Sequence, residues 1–180
     1  MKKILLSAAI VGVCASSHAA IYYFSAFMNG AQEVPPVNTP ATGSGALIWD
    51  DVTGSISGHM VAFNLSSAVT NYHVHVGAVG VSGPVRVNLR FASNTETTNG
   101  SIWTTQFNLN ANNAGVLNGG ITIPQLTALL LSGDAYFNIH TSQHPPGEIR
   151  GQLVQAVPEP GTLAALGLGL VALARRRIKK

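Results

Sequence analysis

Short bursts of apolar residues, separated by Gly, Asn, Ser and Thr, run through the body of this chain. Bursts of this length between turn residues are typical of β-strands. Asp51-Val52-Thr53-Gly54 is predicted to form a hairpin turn, with glycine where a left-handed backbone costs little. The pattern predicts seven or eight short strands, with candidates at residues 21–28, 45–50, 55–65, 71–76, 85–91, 101–109, 135–140 and 148–155.

One stretch departs from the strand pattern. Residues 122–133 carry Pro124 near their start, a run of leucines, and Gly133 at their end. Proline in the first turn and glycine after the last are typical of a short helix. The body is therefore predicted to be all-β, an antiparallel Greek-key-like β-sandwich or barrel with one short helix.

The amino terminus has the pattern of a secretory leader. Lys2 and Lys3 precede an apolar stretch at residues 4–13, and Ser17 and Ala19 supply small residues at the −3 and −1 positions of a cleavage site. We expect a signal peptide at residues 1–19, cleaved after Ala19. The Sec translocon and signal peptidase are the predicted partners of this segment.

The carboxyl terminus combines a chain breaker, an apolar segment and a cationic end. Pro158-Glu159-Pro160-Gly161 is followed by an uncharged apolar run of 13 residues at 162–174, whereas a bilayer span needs about 20. A helix without a polar face belongs in lipid or deep inside a protein. We predict a hydrophobic helix that contacts the membrane transiently and keeps its cations on the cytoplasmic side, namely Arg175, Arg176, Arg177, Lys179 and Lys180.

This tail resembles the PEP-CTERM sorting signal of Gram-negative bacteria. The resemblance rests on Val157-Pro158-Glu159-Pro160, the short apolar stretch and the cluster of Arg175, Arg176 and Arg177. It implies cleavage near Pro-Glu-Pro by an exosortase, in a host that makes an extracellular polysaccharide matrix. The predicted order is a leader at 1–19, a β domain at 20–156 and a sorting segment at 157–180. The predicted destination is the cell surface or extracellular matrix.

The two tails also explain the basic charge of the whole chain, which is formally +3. Two of its ten cations lie in the leader and five in the tail, which leaves three in the body. The six body acids give a net charge of 3 − 6 = −3; they are Glu33, Asp50, Asp51, Glu96, Asp134 and Glu148. Nucleic-acid binding requires a basic patch, so a nucleic-acid partner is excluded. Cys14 lies in the leader, so the mature chain has no disulfide, thiolate metal site or cysteine nucleophile.

The body contains a weak internal echo. His75 and His140 each precede a glycine-rich loop and then a segment of the form Gly-x-[Val/Ile]-Arg-x-[Asn/Gln]-Leu, at residues 83–89 and 147–153. Two related β-hairpins would produce this repeat, as would chance similarity among strand-like segments.

The body resembles the CHRD domain, which is named for chordin and is common in secreted bacterial proteins. The resemblance spans roughly residues 21–154 and rests on five motifs: Glu33-Val34-Pro35-Pro36, His73-Val74-His75, Gly83-Pro84-Val85, residues 133–141 and residues 146–153. It implies an all-β, extracellular, non-enzymatic module. The flanking cysteine-rich modules of chordin are missing from this sequence, so a growth-factor partner is not implied.

The histidines are the first candidates for chemistry. His73 and His75 are two residues apart on a predicted strand, so their side chains share one face. If the two hairpins pack together, His140 joins them, and three imidazoles suit zinc or copper. The alternative is that these rings hydrogen-bond the backbone of the two glycine-rich loops.

Four charged residues are further candidates. Glu148 and Arg150 are two apart on a predicted strand, with Arg86 echoing Arg150. They predict a buried carboxylate–guanidinium pair between the hairpins, or a recognition site for a sugar or an anion. Glu33 precedes two prolines that stiffen its loop. Its carboxylate is expected to accept hydrogen bonds from neighbouring amides.

The sequence therefore predicts an exported structural or binding module without a required cofactor. A metal-binding or redox domain that uses the three histidines with zinc or copper remains open. A carbohydrate-binding matrix protein also remains open. It would use Arg86 or Arg150 with exposed aromatics, for which the candidates are Trp49, Trp103, Tyr22 and Tyr23. A hydrolytic enzyme is disfavoured, because the sequence shows no acid–base pair or activated nucleophile.

Overall fold

The structure is a computed structural model, and it describes residues 20–156. A short 3₁₀ turn at Gly30–Gln32 follows the first strand, and one helix, α1 (Ile123–Leu131), precedes β8. The ten strands are β1 (Ile21–Asn29), β2 (Thr42–Asp50), β3 (Ser55–Phe63), β4 (Val69–Val76), β5 (Val85–Asn88), β6 (Thr95–Asn99), β7 (Ile102–Asn110), β8 (Ala135–Thr141), β9 (Ile149–Gln152) and β10 (Val154–Ala156).

The strands form one antiparallel sheet in the order β5-β4-β8-β9-β1-β2-β3-β7-β6, with β10 paired to β1 beside this path. The sheet curls into a half-barrel, which confirms the predicted all-β antiparallel class with one helix. The hairpins β4–β5 and β8–β9, which carry the internal echo, are joined through the β4–β8 pair. This junction positions the candidate site.

Three details of the predicted strands are wrong. β6 has the sequence Thr-Glu-Thr-Thr-Asn, and as a mostly exposed edge strand it has no apolar alternation to reveal it. The strand predicted at residues 85–91 ends at Asn88. The strand predicted at 148–155 begins at Ile149 and divides into β9 and β10 at the buried Leu153.

Side chains alternate between the inside and the outside of the half-barrel along its strands, and the inward ones fill the core. In β7 the buried positions include Trp103, Phe107 and Leu109, while their neighbours face outward. The helix packs against this core through Leu126 and Leu130, four residues apart on one face. Its start is fixed by a capping box between Thr122 and Gln125, and its first turn contains Pro124. The helix predicted from the proline is confirmed.

Strand β8 differs from the others because all seven of its side chains are buried. One face of the strand, which includes Phe137 and Ile139, belongs to the hydrophobic core. Residues from three connections, at 33–37, 82–83 and 143–147, line a cavity together with side chains of the opposite face. An apolar core on one side and loop-covered polar residues on the other make this strand the base of the candidate site.

Between residues 20 and 156, no helix has the length and apolar character that crossing a membrane requires. The predicted signal peptide at 1–19 and the predicted sorting helix at 157–180 lie outside the described residues.

Candidate metal centre

Three histidines meet on the outer face of strands β4 and β8. The antiparallel register pairs His73 with Asn138, and it pairs His75 with Tyr136 and His140 with Asn71. His75 and His140 therefore lie on either side of the central His73, one from each hairpin. The predicted convergence of three imidazoles thus follows from pairing β4 with β8.

The three rings are close enough to share an ion. Their centroids lie 5.5 Å apart for His73–His75, 5.0 Å for His73–His140 and 5.7 Å for His75–His140. One possible ligand nitrogen from each ring lies within 4.8 Å of the other two. Within the described residues, this is the group of histidines and acids that could hold a metal ion.

Backbone carbonyls fix the tautomers of two of the rings. His75 Nδ1 lies 2.9 Å from the Gly83 carbonyl oxygen, and His140 Nδ1 lies 2.8 Å from that of Pro145. A carbonyl can only accept, so both Nδ1 atoms must carry the proton. The Nε2 atoms of both rings therefore present a lone pair. Metal-binding histidines are commonly oriented by such a bond from the other ring nitrogen.

The His73 ring contacts the His140 ring directly. His73 Nδ1 lies 3.1 Å from His140 Nε2, and without an ion His73 must donate this hydrogen bond because the proton of His140 is on Nδ1. Two nitrogens bound to one tetrahedral ion at 2.0–2.1 Å are separated by about 3.3 Å. The observed distance therefore suits both a hydrogen bond and a shared ion. The surroundings of His75 favour the shared ion, because its buried Nε2 has no hydrogen-bond partner.

All three rings favour the neutral form. Burial lowers the pKa of His73 to about 4, and repulsion from His140 and His75 adds to this effect. Burial also lowers the pKa values of His75 and His140, although the bonds to Gly83 and Pro145 oppose it. Neutral imidazole is the form that binds metal, so the site does not have to lose protons near neutral pH.

The His75, Tyr136 and Arg150 side chains form a stack, with Tyr136 in the middle. The Tyr136 ring stacks on His75 with centroids 5.2 Å apart, and the Arg150 guanidinium lies 4.5 Å from the centroid of the Tyr136 ring. Arg150 donates from Nε to the Gln32 carbonyl and from Nη1 to the Val81 carbonyl, 3.1 Å away. This one side chain connects two of the loops that surround the site.

Glu33 lies near this group as a buried acid, 6% exposed, whose Oε1 has no hydrogen-bond partner. Burial raises the pKa of Glu33 to about 7, against the opposing effects of the Arg150 charge, the Asn138 amide and the Val34 N–H. A Cβ at Gly147 would lie 2.5 Å from Asn138 Oδ1 and 2.8 Å from Glu33 Oε1. Glycine is also required there by its φ of +139°.

A cavity of about 380 Å³ lies beside His75, the one member of the three histidines that lines it. Its lining includes His75, Tyr136, Glu33, Asn138 and His144, together with apolar wall residues. His144, which follows the third histidine in the sequence, therefore lies at the cavity and outside the group of three. Sequence reasoning missed Tyr136 and Asn138. Their signal was present, because they alternate with core residues on β8 and share a face with His140.

The predicted pair of Glu148 and Arg150 is wrong. Within residues 20–156, the only salt bridge joins Arg90 to Glu96. Glu148 precedes β9, so the alternation of a strand does not apply to it. It accepts hydrogen bonds from Thr39 Oγ1 (2.8 Å), Ser66 N (2.9 Å), Ser66 Oγ (2.8 Å) and Thr141 Oγ1 (2.7 Å).

The residues predicted for carbohydrate recognition are arranged less favourably for ligand binding than the three histidines are. Arg150 is 2% exposed, and two of its nitrogens are bonded to the backbone. Trp49 and Trp103 belong to the hydrophobic core. Arg86, the predicted counterpart of Arg150, lies against Gly119, where an added Cβ would be 2.2 Å from Nη1.

Comparison with known proteins agrees with the motifs in the sequence. Residues 24–153 match the family model of the CHRD domain, and residues 156–178 match that of the PEP-CTERM protein-sorting motif. No curated protein and no solved structure matches the chain. The sorting motif implies an exported protein that is processed by an exosortase in a Gram-negative bacterium. Because the first match covers most of its length, the chain belongs to the CHRD domain family.

Proposed function

We propose that this protein is an exported binding module that holds one transition-metal ion, zinc or copper, through His73, His75 and His140. The observation that carries the proposal is the buried, partnerless Nε2 of His75, which lies in one group with the other two rings. A buried nitrogen without a partner costs about 1–3 kcal/mol, and an ion would remove that cost.

The surrounding chemistry supports zinc or copper over harder cations. All three donors are imidazole nitrogens, which suit these two metals, whereas calcium and magnesium prefer oxygen. An ion held by all three rings would take a lone pair from one nitrogen of each, and binding through His73 Nδ1 would require the proton of that nitrogen to pass to His73 Nε2. The carbonyls of Gly83 and Pro145 hold the other two rings in the required tautomer.

The sorting motif gives this module its setting. We propose that cleavage after Ala19 and near Pro158-Glu159-Pro160 releases the domain to the cell surface or extracellular matrix. The intact mass of the exported protein tests this route. Replacing Arg175, Arg176 and Arg177 with glutamine should leave the tail attached, and a wild-type mass that still includes the tail would contradict the proposal.

Metal content tests the binding function. Protein purified after export, without chelator, should contain zinc or copper in a 1:1 ratio by elemental analysis. The variant His75→Gln should lose this metal. The variant His59→Gln should retain it, because His59 is exposed on β3 and remote in the sheet order from β4. Wild-type protein without stoichiometric metal, and without uptake from micromolar zinc or copper, would contradict the proposal.

A further inference from the structure

Three residues that each have a buried polar atom without a partner line one cavity. The residues described by the structure contain five such side-chain atoms: Glu33 Oε1, His75 Nε2, Arg86 Nε, Asn94 Oδ1 and Asn138 Oδ1. Glu33, His75 and Asn138 all line the cavity of about 380 Å³. More than 90% of buried polar groups in proteins are hydrogen-bonded, so this concentration requires an explanation.

All three atoms lack a hydrogen-bond donor or a cation. His75 Nε2 carries a lone pair, because its Nδ1 donates to Gly83, and the oxygens of Asn138 and of ionised Glu33 accept hydrogen bonds. Each of them requires a cation or a donor proton. A metal ion satisfies the histidine, but Glu33 and Asn138 are outside the group of possible ligands and require a different partner.

We infer that the cavity binds a small neutral molecule that coordinates the metal with one end and donates a hydrogen bond to Asn138 and Glu33 with the other. This inference rests on the proposed metal site. Three protein ligands leave a further coordination position for an exogenous molecule, as in catalytic zinc sites. The volume of the cavity falls within the range of small-molecule sites, about 300–1,000 Å³.

The cavity walls define the rest of the ligand. Val34, Pro35, Pro36 and Pro146 provide apolar surface, which favours an uncharged and compact molecule. Gly147 packs closely against the donor end, where a Cβ would lie 2.5 Å from Asn138 Oδ1 and 2.8 Å from Glu33 Oε1. The Arg150 charge near Glu33 disfavours a cationic donor.

Imidazole and 1-methylimidazole form a matched pair of probes for this inference. Both offer a nitrogen to the metal, but only imidazole also has an N–H to donate. Copper(II)-loaded exported protein should change its visible and electron paramagnetic resonance spectra saturably with imidazole. One retained hydrogen bond predicts that imidazole binds roughly tenfold more tightly than 1-methylimidazole, after correction for the preference of free copper(II).

Two variants separate hydrogen bonding from simple fit. Asn138→Leu and, independently, Glu33→Leu remove an acceptor and should reduce the preference severalfold, while His59→Gln should preserve it. Circular dichroism and copper stoichiometry verify that each variant is folded and loaded. Copper retained without any imidazole response, or with a preference that neither variant alters, would overturn this inference alone. Failure to retain either copper or zinc would overturn the proposed function and this inference together.

Discussion

Glu148 and Glu33 are two buried acids with opposite surroundings. Glu148 is 0% exposed, and four donors from three different segments saturate its two oxygens. Glu33 is 6% exposed, and its Oε1 has no partner. Burial alone would raise the pKa of Glu148, but the donors lower it below its usual value, whereas burial of Glu33 prevails and raises its pKa.

The difference separates a structural acid from an acid at the proposed binding site. Glu148 holds the chain together around Thr39, Ser66 and Thr141, and it needs nothing from outside the protein. Glu33 lines the same cavity as His75 and Asn138, whose Nε2 and Oδ1 likewise lack partners. Saturation of the polar atoms, more than burial or charge, distinguishes the structural region from the proposed binding region.

Loss of the saturated acid should have the largest effect on stability. Glu148→Ala leaves the donors of Thr39, Ser66 and Thr141 without an acceptor, so we expect a loss of about 3–5 kcal/mol in the free energy of unfolding. Urea denaturation of the metal-free protein measures this loss. An effect below about 1 kcal/mol would break the distinction between the two acids.

Loss of a metal ligand should be nearly silent in the metal-free protein and large in the loaded one. At a free metal concentration 100 times the dissociation constant, wild-type protein should gain about 2.7 kcal/mol, and His75→Gln should gain almost nothing. Thermal denaturation with and without metal measures both gains. Equal gains in the two proteins would place the metal elsewhere.

Glu33 should make the metal-free protein less stable as pH rises. Between its unfolded pKa of 4.5 and its folded pKa of about 7, the folded state binds a proton that the unfolded state lacks, so stability falls across this window. His73 acts oppositely between its folded pKa of about 4 and its unfolded value of 6.5.

Glu33→Gln removes only the first of these two contributions. Its stability relative to wild type should therefore increase from pH 4.5 to pH 7, by a difference on the order of 2 kcal/mol after allowance for solvent screening. Urea denaturation in chelator at several pH values measures this trend. A difference that stays constant or declines over the window would show that Glu33 does not titrate as its burial requires.

The surface ion pair should have the smallest effect. Arg90 Nε lies 2.8 Å from Glu96 Oε1, and the two side chains are 38% and 24% exposed. Glu96→Gln should cost less than about 1 kcal/mol and leave metal stoichiometry unchanged. A larger loss, measured by urea denaturation, would mean that the accompanying bond from Tyr72 to Glu96 stabilises the core.

Periodicity was sufficient to predict most of the fold and one part of the site. The apolar bursts predicted most of the strands, and Pro124 and Gly133 predicted the helix, because these signals are local. His73 and His75 share a face for the same local reason. The internal echo places His140 on the second hairpin, and the pairing of β4 with β8 places it next to His73 and His75.

The rest of the site depends on contacts that sequence spacing does not encode. The Glu148–Arg150 prediction failed because Glu148 lies before the first residue of β9, outside its alternation. Glu33 reaches the cavity from a loop more than a hundred residues away in sequence from Asn138, and only the folded chain shows that its Oε1 lacks a partner. In the sequence, Tyr136 and Asn138 look like ordinary strand residues, because the loops that cover their face are apparent only in the folded chain.

Anomalous diffraction from crystals of the metal-loaded exported protein tests the central claim most directly. The account predicts one strong peak, about 2.0–2.1 Å from one nitrogen each of His73, His75 and His140. A metal peak located away from these three rings, or no peak in protein that elemental analysis shows to be loaded, would contradict it.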